Sequence, residues 1–141
     1  MVGVAALIHN DEGKLLLLKR TDNLCWGPPG GSTEPGERLE QALHREVYEE
    51  THLELDRLDL FGVFSGPEFF YTYPNGDQVY NVTIMYSSQL QPNQNTRITL
   101  DHEHSESQWF ALGQIPHPIS PPIEPILNEY INKYPHMRRT R

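Results

Sequence analysis

One cysteine, Cys25, stands among 141 residues, so no disulfide can close within the chain and a reducing compartment is expected. No motif surrounds that thiol, and it reads as an ordinary packed side chain. Long hydrophobic runs are missing: runs such as Leu15 to Leu18 fall far below the roughly 20 residues a bilayer span requires. The N-terminus carries no basic stretch followed by an apolar segment and a small-residue cleavage site. No signal peptide is read there, and the cytoplasm is the expected location. Positive charge is scarce, with 11 Lys and Arg against 19 Asp and Glu. The net charge of −8 argues against a binder of nucleic acid polymer or of an anionic membrane surface. A phosphorylated ligand would need its charge met by something other than this acidic bulk, and a divalent cation is the natural candidate. Internal repeats and low-complexity linkers are absent as well, and the length suits a single domain over 1–141.

The apolar residues that are present, 16 Leu and 8 Ile with 14 aromatics, suffice for a modest core. Val2 to Ile8 and Lys14 to Lys19 are apolar and flank the turn signal Asn10-Asp11-Glu12-Gly13, which predicts a hairpin. Residues 21 to 36, rich in Gly and Pro, read as loop. Glu37 to Thr51 contains neither Gly nor Pro and reads as helix. Leu58 to Phe64 and Val79 to Leu90 look like strands, with the tight-turn signal Asn75-Gly76 between them. Trp109 to Leu112 reads as a short strand, and Pro121 to Tyr134 as a closing helix with Pro at its start. The order β-β-loop-α-β-β-β-α, with strands meeting mostly through hairpins, predicts an α+β layered fold and speaks against a doubly wound sheet.

The helix carries acids on the wrong side. Taking 100° per residue from Leu39, Ala42 falls at about 300°, Leu43 at about 40° and Val47 at about 80°. Glu46 at about 340° and Glu50 at about 20° lie inside this apolar arc, and Glu49 borders it at about 280°. Like charges at i, i+3 and i+4 repel, and more strongly when desolvated. A hard divalent cation with oxygen ligands would offset that repulsion. A solvated acidic face with Arg45 paired to Glu49 would account for the helix alone equally well. The preceding loop tips the balance: Gly30-Gly31 lets backbone approach a ligand closely, and Pro28-Pro29 stiffens the approach.

Gly31, five residues, Glu37, seven residues, then Arg45-Glu46-Val47-Tyr48-Glu49-Glu50-Thr51-His52-Leu53 resembles the Nudix box, over residues 31–53. Trp26, Pro29 and Gly30 fit the same pattern. The departure is His52, where the family usually has Gly; His can take the left-handed conformation that ends a helix at a cost of about 1 kcal/mol. No carboxylate is lost by it.

The resemblance implies an α/β/α sandwich, a mixed sheet with helices on both faces. It implies hydrolysis of a nucleoside diphosphate linked to another moiety by water attacking phosphorus, with Mg²⁺ or Mn²⁺ as cofactor. By it, Glu46 and Glu50 are the main metal ligands, Glu49 a further ligand or shared base, and the Gly30 carbonyl an added ligand. Arg45 orients the carboxylates, and Glu37 supports the loop and the helix start. Gly31 belongs to the substrate-facing loop. A further carboxylate is expected from His102-Glu103-His104-Ser105-Glu106, with Glu103 preferred to Glu106. Two His flanking a Glu also suggest zinc, yet no third partner shows at ligand spacing, and a solvated loop is the better reading.

Arg20, at the exit of the second strand, is either a phosphate contact or a surface cation. Phe69 to Tyr73 offers Tyr71 for stacking on a base, though such aromatic stripes more often form core or the interface of a homodimer. Pro67 and Tyr71, 14 and 18 residues past Leu53, resemble markers of ADP-ribose and of dinucleoside polyphosphate hydrolases respectively, and so point different ways. Oxidised nucleotides and nucleotide sugars stay open too. The alternative to an enzyme is a nucleotide sensor of the same fold that binds without turnover; retention of Glu46, Glu49 and Glu50 speaks against it.

Overall fold

A computed structural model describes residues 1–133 apart from 74, 93 and 95. Its centre is β1 (Val2–His9), whose residues from Val4 onward are buried on both faces. A strand covered on both sides must be apolar throughout rather than alternating, which is how Val4 to Ile8 reads. β2 (Leu15–Arg20) follows the same rule through Leu15 to Leu18. Next come β3 (Trp26–Gly27), β4 (Gly30–Ser32) and α1 (Leu39–Thr51). β5 (Asp59–Phe64), β6 (Phe70–Thr72), β7 (Gln78–Tyr80), β8 (Val82–Gln89), β9 (His104–Phe110) and α2 (Glu124–Lys133) complete the chain.

The main sheet runs β3-β2-β1-β8-β5, with β4 also paired to β1 and β9 to β2; β6 and β7 form a separate hairpin. The fold is α+β with a mixed sheet. Two layers of side chains cover it. On one face Ala42, Leu43 and Val47 of α1 pack against Val4, Ala6, Ile8, Leu16 and Leu18. On the other Ile126, Leu127 and Tyr130 of α2 pack against Ala5, Leu7, Leu15 and Leu17. Each fully buried Leu or Ile contributes about 1.5–3 kcal/mol, so truncating Leu43 or Ile126 costs several kcal/mol.

Several expectations are corrected. The segment read as loop, 21 to 36, contains β3 and β4, two very short strands that propensity cannot reveal because each exists by pairing with a distant strand, β3 with β2 and β4 with β1. The stretch Val79 to Leu90 is two strands, β7 and β8, parted at Asn81. The last strand begins at His104, five residues earlier than Trp109, so Glu106 lies within it rather than in a loop. The closing helix starts at Glu124, after a turn over 121–123, and Tyr134 lies outside the described residues. The β1–β2 hairpin holds only at His9↔Leu15 before the strands part. β1 instead pairs along its whole length with β8, in parallel, a long-range match no local pattern announces. No helix among the described residues is long and apolar enough to cross a membrane.

Candidate active site

Where β1 and β2 part, β3 and β4 border a cavity of about 280 Å³. Gly3 to Ala5, Leu18, Arg20, Gly30, Gly31, Glu50, Tyr73 and His104 are among its lining residues. α1 enters beside β4. Its first turn is tied down where the Arg38 N–H donates to the Gln41 side chain at 2.9 Å, one half of a capping box. Its last turn ends on His52, which has φ 63° and ψ 15° and donates its N–H to the Tyr48 carbonyl at 2.8 Å. The expected left-handed residue is therefore there, and its ring stacks on Tyr48 with centroids 5.1 Å apart.

The glycine loop and the acids of α1 touch. The Gly30 N–H donates to Glu50 Oε1 at 2.9 Å. A Cβ on Gly31 would sit 2.6 Å from the Glu46 carboxyl group, so a side chain there and Glu46 in its present place exclude one another. A Cβ on Gly30 would fall 2.2 Å from the Val4 carbonyl oxygen, against backbone that cannot yield. These two glycines are required by close approach.

Arg45 ties the box together. Its guanidinium forks onto Glu37, with Nε to Oε2 at 2.8 Å and Nη2 to Oε1 at 2.9 Å. Nη1 reaches Glu46 Oε1 at 3.0 Å and Glu49 Oε2 at 3.5 Å, while Nη2 also donates to the Ser32 carbonyl at 3.2 Å. Glu37 in turn accepts from the Glu34 N–H at 2.8 Å, which fixes the loop before the helix. Its carboxyl is held below the usual range by the Arg45 hydrogen bonds. Glu49 is the most exposed of the three acids, and of the three only Glu50 is among the cavity's lining residues.

Glu50 is different. It is buried at 6% exposure, and no ion pair reaches it among the described residues. Burial pushes its pKa up to about 8, with Glu46, Asp101 and Glu103 adding to the rise and the Gly30 N–H opposing it. Burial also raises Glu46, partly countered by Arg45. A buried acid surrounded by acids at a cavity wall is the pattern that marks functional sites.

The segment leading into β9 brings further side chains close to Glu50. The Thr99 N–H donates to the Thr51 carbonyl at 3.0 Å, and the Thr21 N–H donates to the Glu103 carbonyl at 2.9 Å. Pinned at both ends, it sets one ligating atom each of Glu50, Asp101 and His104 within 4.8 Å of one another. His104 Nδ1 lies 2.8 Å from Asp101 Oδ1. Sequence reading missed Asp101; its only local signal is the spacing of three to His104, and its partner Glu50 is distant in the chain. Glu103 is exposed and acts electrostatically on Glu46, Glu50 and Arg20. Glu106 is instead paired with Lys19 at 3.4 Å on the sheet. Arg20 lines the cavity while its guanidinium pairs with Asp22 at 2.9 and 2.8 Å, which keeps it firmly charged. Tyr71 is not among the lining residues; Tyr73, packed edge-on against it at 4.8 Å, is.

A NUDIX domain family model matches residues 1–130. The chain belongs to the Nudix family. A nucleoside triphosphatase of Escherichia fergusonii is 33% identical over 117 residues, covering 75% of this chain and 78% of that protein. An 8-oxo-dGTP diphosphatase assigned in Bacillus subtilis is 37% identical over 67 residues, and an ADP-ribose pyrophosphatase of Methanocaldococcus jannaschii 43% identical over 70. These two matches span 45% and 41% of the relatives' own lengths, so the chain corresponds to less than half of each. Among solved structures, a MutT Nudix hydrolase from Burkholderia pseudomallei superposes with TM-score 0.74 at 31% identity, over 90% of this chain and 95% of that one. Like other members of this family, the chain is expected to work with a divalent metal ion, and its acids suit one.

Proposed function

We propose that this Nudix domain hydrolyses a phosphoric anhydride bond in a nucleoside diphosphate linked to another moiety. The observation that carries the reading is the contact between loop and helix: Glu50 sits on the Gly30 N–H and Glu46 on the bare face of Gly31. Both carboxylates are desolvated, mutually repelling and beside a cavity, an arrangement that fits a divalent cation's oxygen preference. Glu46 and Glu50 would hold Mg²⁺ or Mn²⁺, with Glu49 and the Gly30 carbonyl completing the set. Such a cation supplies charge that neutralises phosphate oxygens and lowers the pKa of its bound water.

The chain's own residues do the rest. Arg45 fixes Glu46 and Glu49 by charge-assisted hydrogen bonds and cannot itself lose its proton. Arg20 offers a guanidinium to a phosphate on the cavity wall. Glu103, exposed and without an ion pair among the described residues, takes a proton from the attacking water. The water oxygen bonds to phosphorus, the bridging P–O bond breaks, and the leaving phosphate departs with the electron pair. Gly31 gives the diphosphate room, and Tyr73, with Tyr71 packed against it, borders the place where a base would stack.

A nucleoside triphosphate, itself a nucleoside diphosphate bearing a further phosphate, heads the substrate list because the relative aligned over most of its length carries that name. Oxidised nucleotides and ADP-ribose follow. The test is a panel of these compounds with Mg²⁺ and with Mn²⁺, read as release of phosphate, pyrophosphate or a nucleoside monophosphate. Turnover that survives EDTA, or none on any member of the panel with either metal, would overturn the reading.

A further inference from the structure

We propose that His104 is a metal ligand opposite Glu50, oriented by Asp101, so that this site takes an imidazole nitrogen and favours Mn²⁺ over Mg²⁺. The inference rests on the reading above, that the cavity holds a divalent cation, and adds to it a ligand outside the box. Three observations carry it. Glu50, Asp101 and His104 bring one ligating atom each within 4.8 Å of one another, and this is the one group of three or more such side chains found so close among the described residues. The His104 side chain is 9% exposed, yet the residue lines the cavity. Its Nδ1 is engaged by Asp101 at 2.8 Å, whereas Nε2 has no hydrogen-bond partner among the described residues.

The tautomer follows from the chemistry. In the tautomer that donates Nδ1–H to the Asp101 carboxylate, the Nε2 lone pair, on the other side of the ring, is left for a cation. A carboxylate behind a histidine is the usual way a ligating imidazole is held in orientation and made more basic. Glu50 supplies the negative charge. The pair of an oxygen and a nitrogen donor bears on which ion enters. Mg²⁺ demands oxygen ligands and sheds water reluctantly, while Mn²⁺ accepts imidazole more readily. The box acids Glu46 and Glu49, tied to Arg45, present oxygen alone and make no such distinction.

The probe is Mn²⁺ alone, bound to the intact protein and read by pulsed electron paramagnetic resonance. Nitrogen coupling to bound Mn²⁺ is expected in the wild type, changing in character when the protein is labelled with ¹⁵N-histidine. In His104→Gln the coupling should disappear. Titration should then show Mn²⁺ affinity reduced ~10-fold or more and Mg²⁺ affinity changed by less than about threefold. His102→Gln, one position from Glu103 and exposed, should retain the coupling, which keeps the test decisive even if His104→Gln fails to fold. Absence of histidine coupling at saturating Mn²⁺ overturns the inference while leaving the Nudix reading intact. Coupling that His104→Gln keeps, or that His102→Gln loses, overturns it as well. Failure of the wild type to bind either metal would sink both.

Discussion

Among the described residues each face of the sheet buries one histidine or carboxylate side chain, and the two faces treat it in opposite ways. Under α2, His9 is 6% exposed, stacks on Tyr130 with centroids 5.4 Å apart, and lies 2.7 Å from the Tyr130 hydroxyl. Burial lowers its pKa to about 4, so at neutral pH it is uncharged, paired and finished. Under α1, Glu50 is equally buried, has one backbone donor, and is surrounded by Glu46, Asp101 and Glu103. One face closes its polar group with another side chain. The other leaves its acid facing a cavity and other acids. Core packing is alike on both faces, so the difference marks the α1 face as the one built for a ligand.

Replacing the acid should have the largest effect. Glu50→Gln is expected to lower kcat by ~10²–10³-fold at saturating metal, since it removes a charge the site is built around. Wild-type kcat in this variant would erase the distinction between the faces.

Second in size is a pH effect that separates them by sign. His9 binds a proton in the unfolded chain below about 6.5 but in the fold only below about 4, so its contribution is present above 6.5 and is lost as pH falls. That loss reaches up to about 3 kcal/mol by pH 4. Glu50 works the other way in metal-free protein: its folded pKa is raised, so stability is present below about 4.5 and is lost as pH rises through about 8. Urea denaturation across this range in Glu50→Gln should show the acid-side loss alone, and adding His9→Gln should flatten it. An unchanged slope in the double variant would assign it elsewhere.

A smaller effect is expected at the loop. Gly31→Ala pushes a Cβ against the Glu46 carboxyl, a side chain able to move, so folding should survive while kcat drops ~10-fold from the displaced acid. Equal activity would mean that Glu46's seat on Gly31 does not matter. The smallest is His52→Gly, which relieves a left-handed His but gives up its stacking on Tyr48. Stability should change by at most about 1 kcal/mol with kcat unaltered; a large loss of kcat would assign His52 a role in the chemistry.

Much of the α1 face was legible because its signal is local. Glu46 and Glu50 violate helical amphipathicity within four residues, and Gly30-Gly31 precede them by no more than 20 positions. His52 stood out for the same reason. What stayed hidden depends on contacts distant in the chain. β4 is three residues long and exists because its glycines fit beside β1. The parallel β1–β8 pairing joins strands about eighty residues apart. Asp101 meets Glu50 only because Thr99 bonds to Thr51 and Glu103 to Thr21. Glu106 showed the converse error: alternation within β9 turns it toward Lys19, which a loop reading could not foresee.

The α1 face should be incomplete without a cation and the α2 face complete. Chemical denaturation of wild type and Glu50→Gln, each without metal and with Mn²⁺ at about 100 times its dissociation constant, compares them directly. Mn²⁺ should stabilise the wild type by about 2.7 kcal/mol and Glu50→Gln, at the same metal concentration, by much less. Without metal, Glu50→Gln should be as stable as the wild type or more so, since one repelling acid is gone. A metal-free Glu50→Gln that is markedly less stable, with Mn²⁺ stabilising both proteins equally, would contradict the claim.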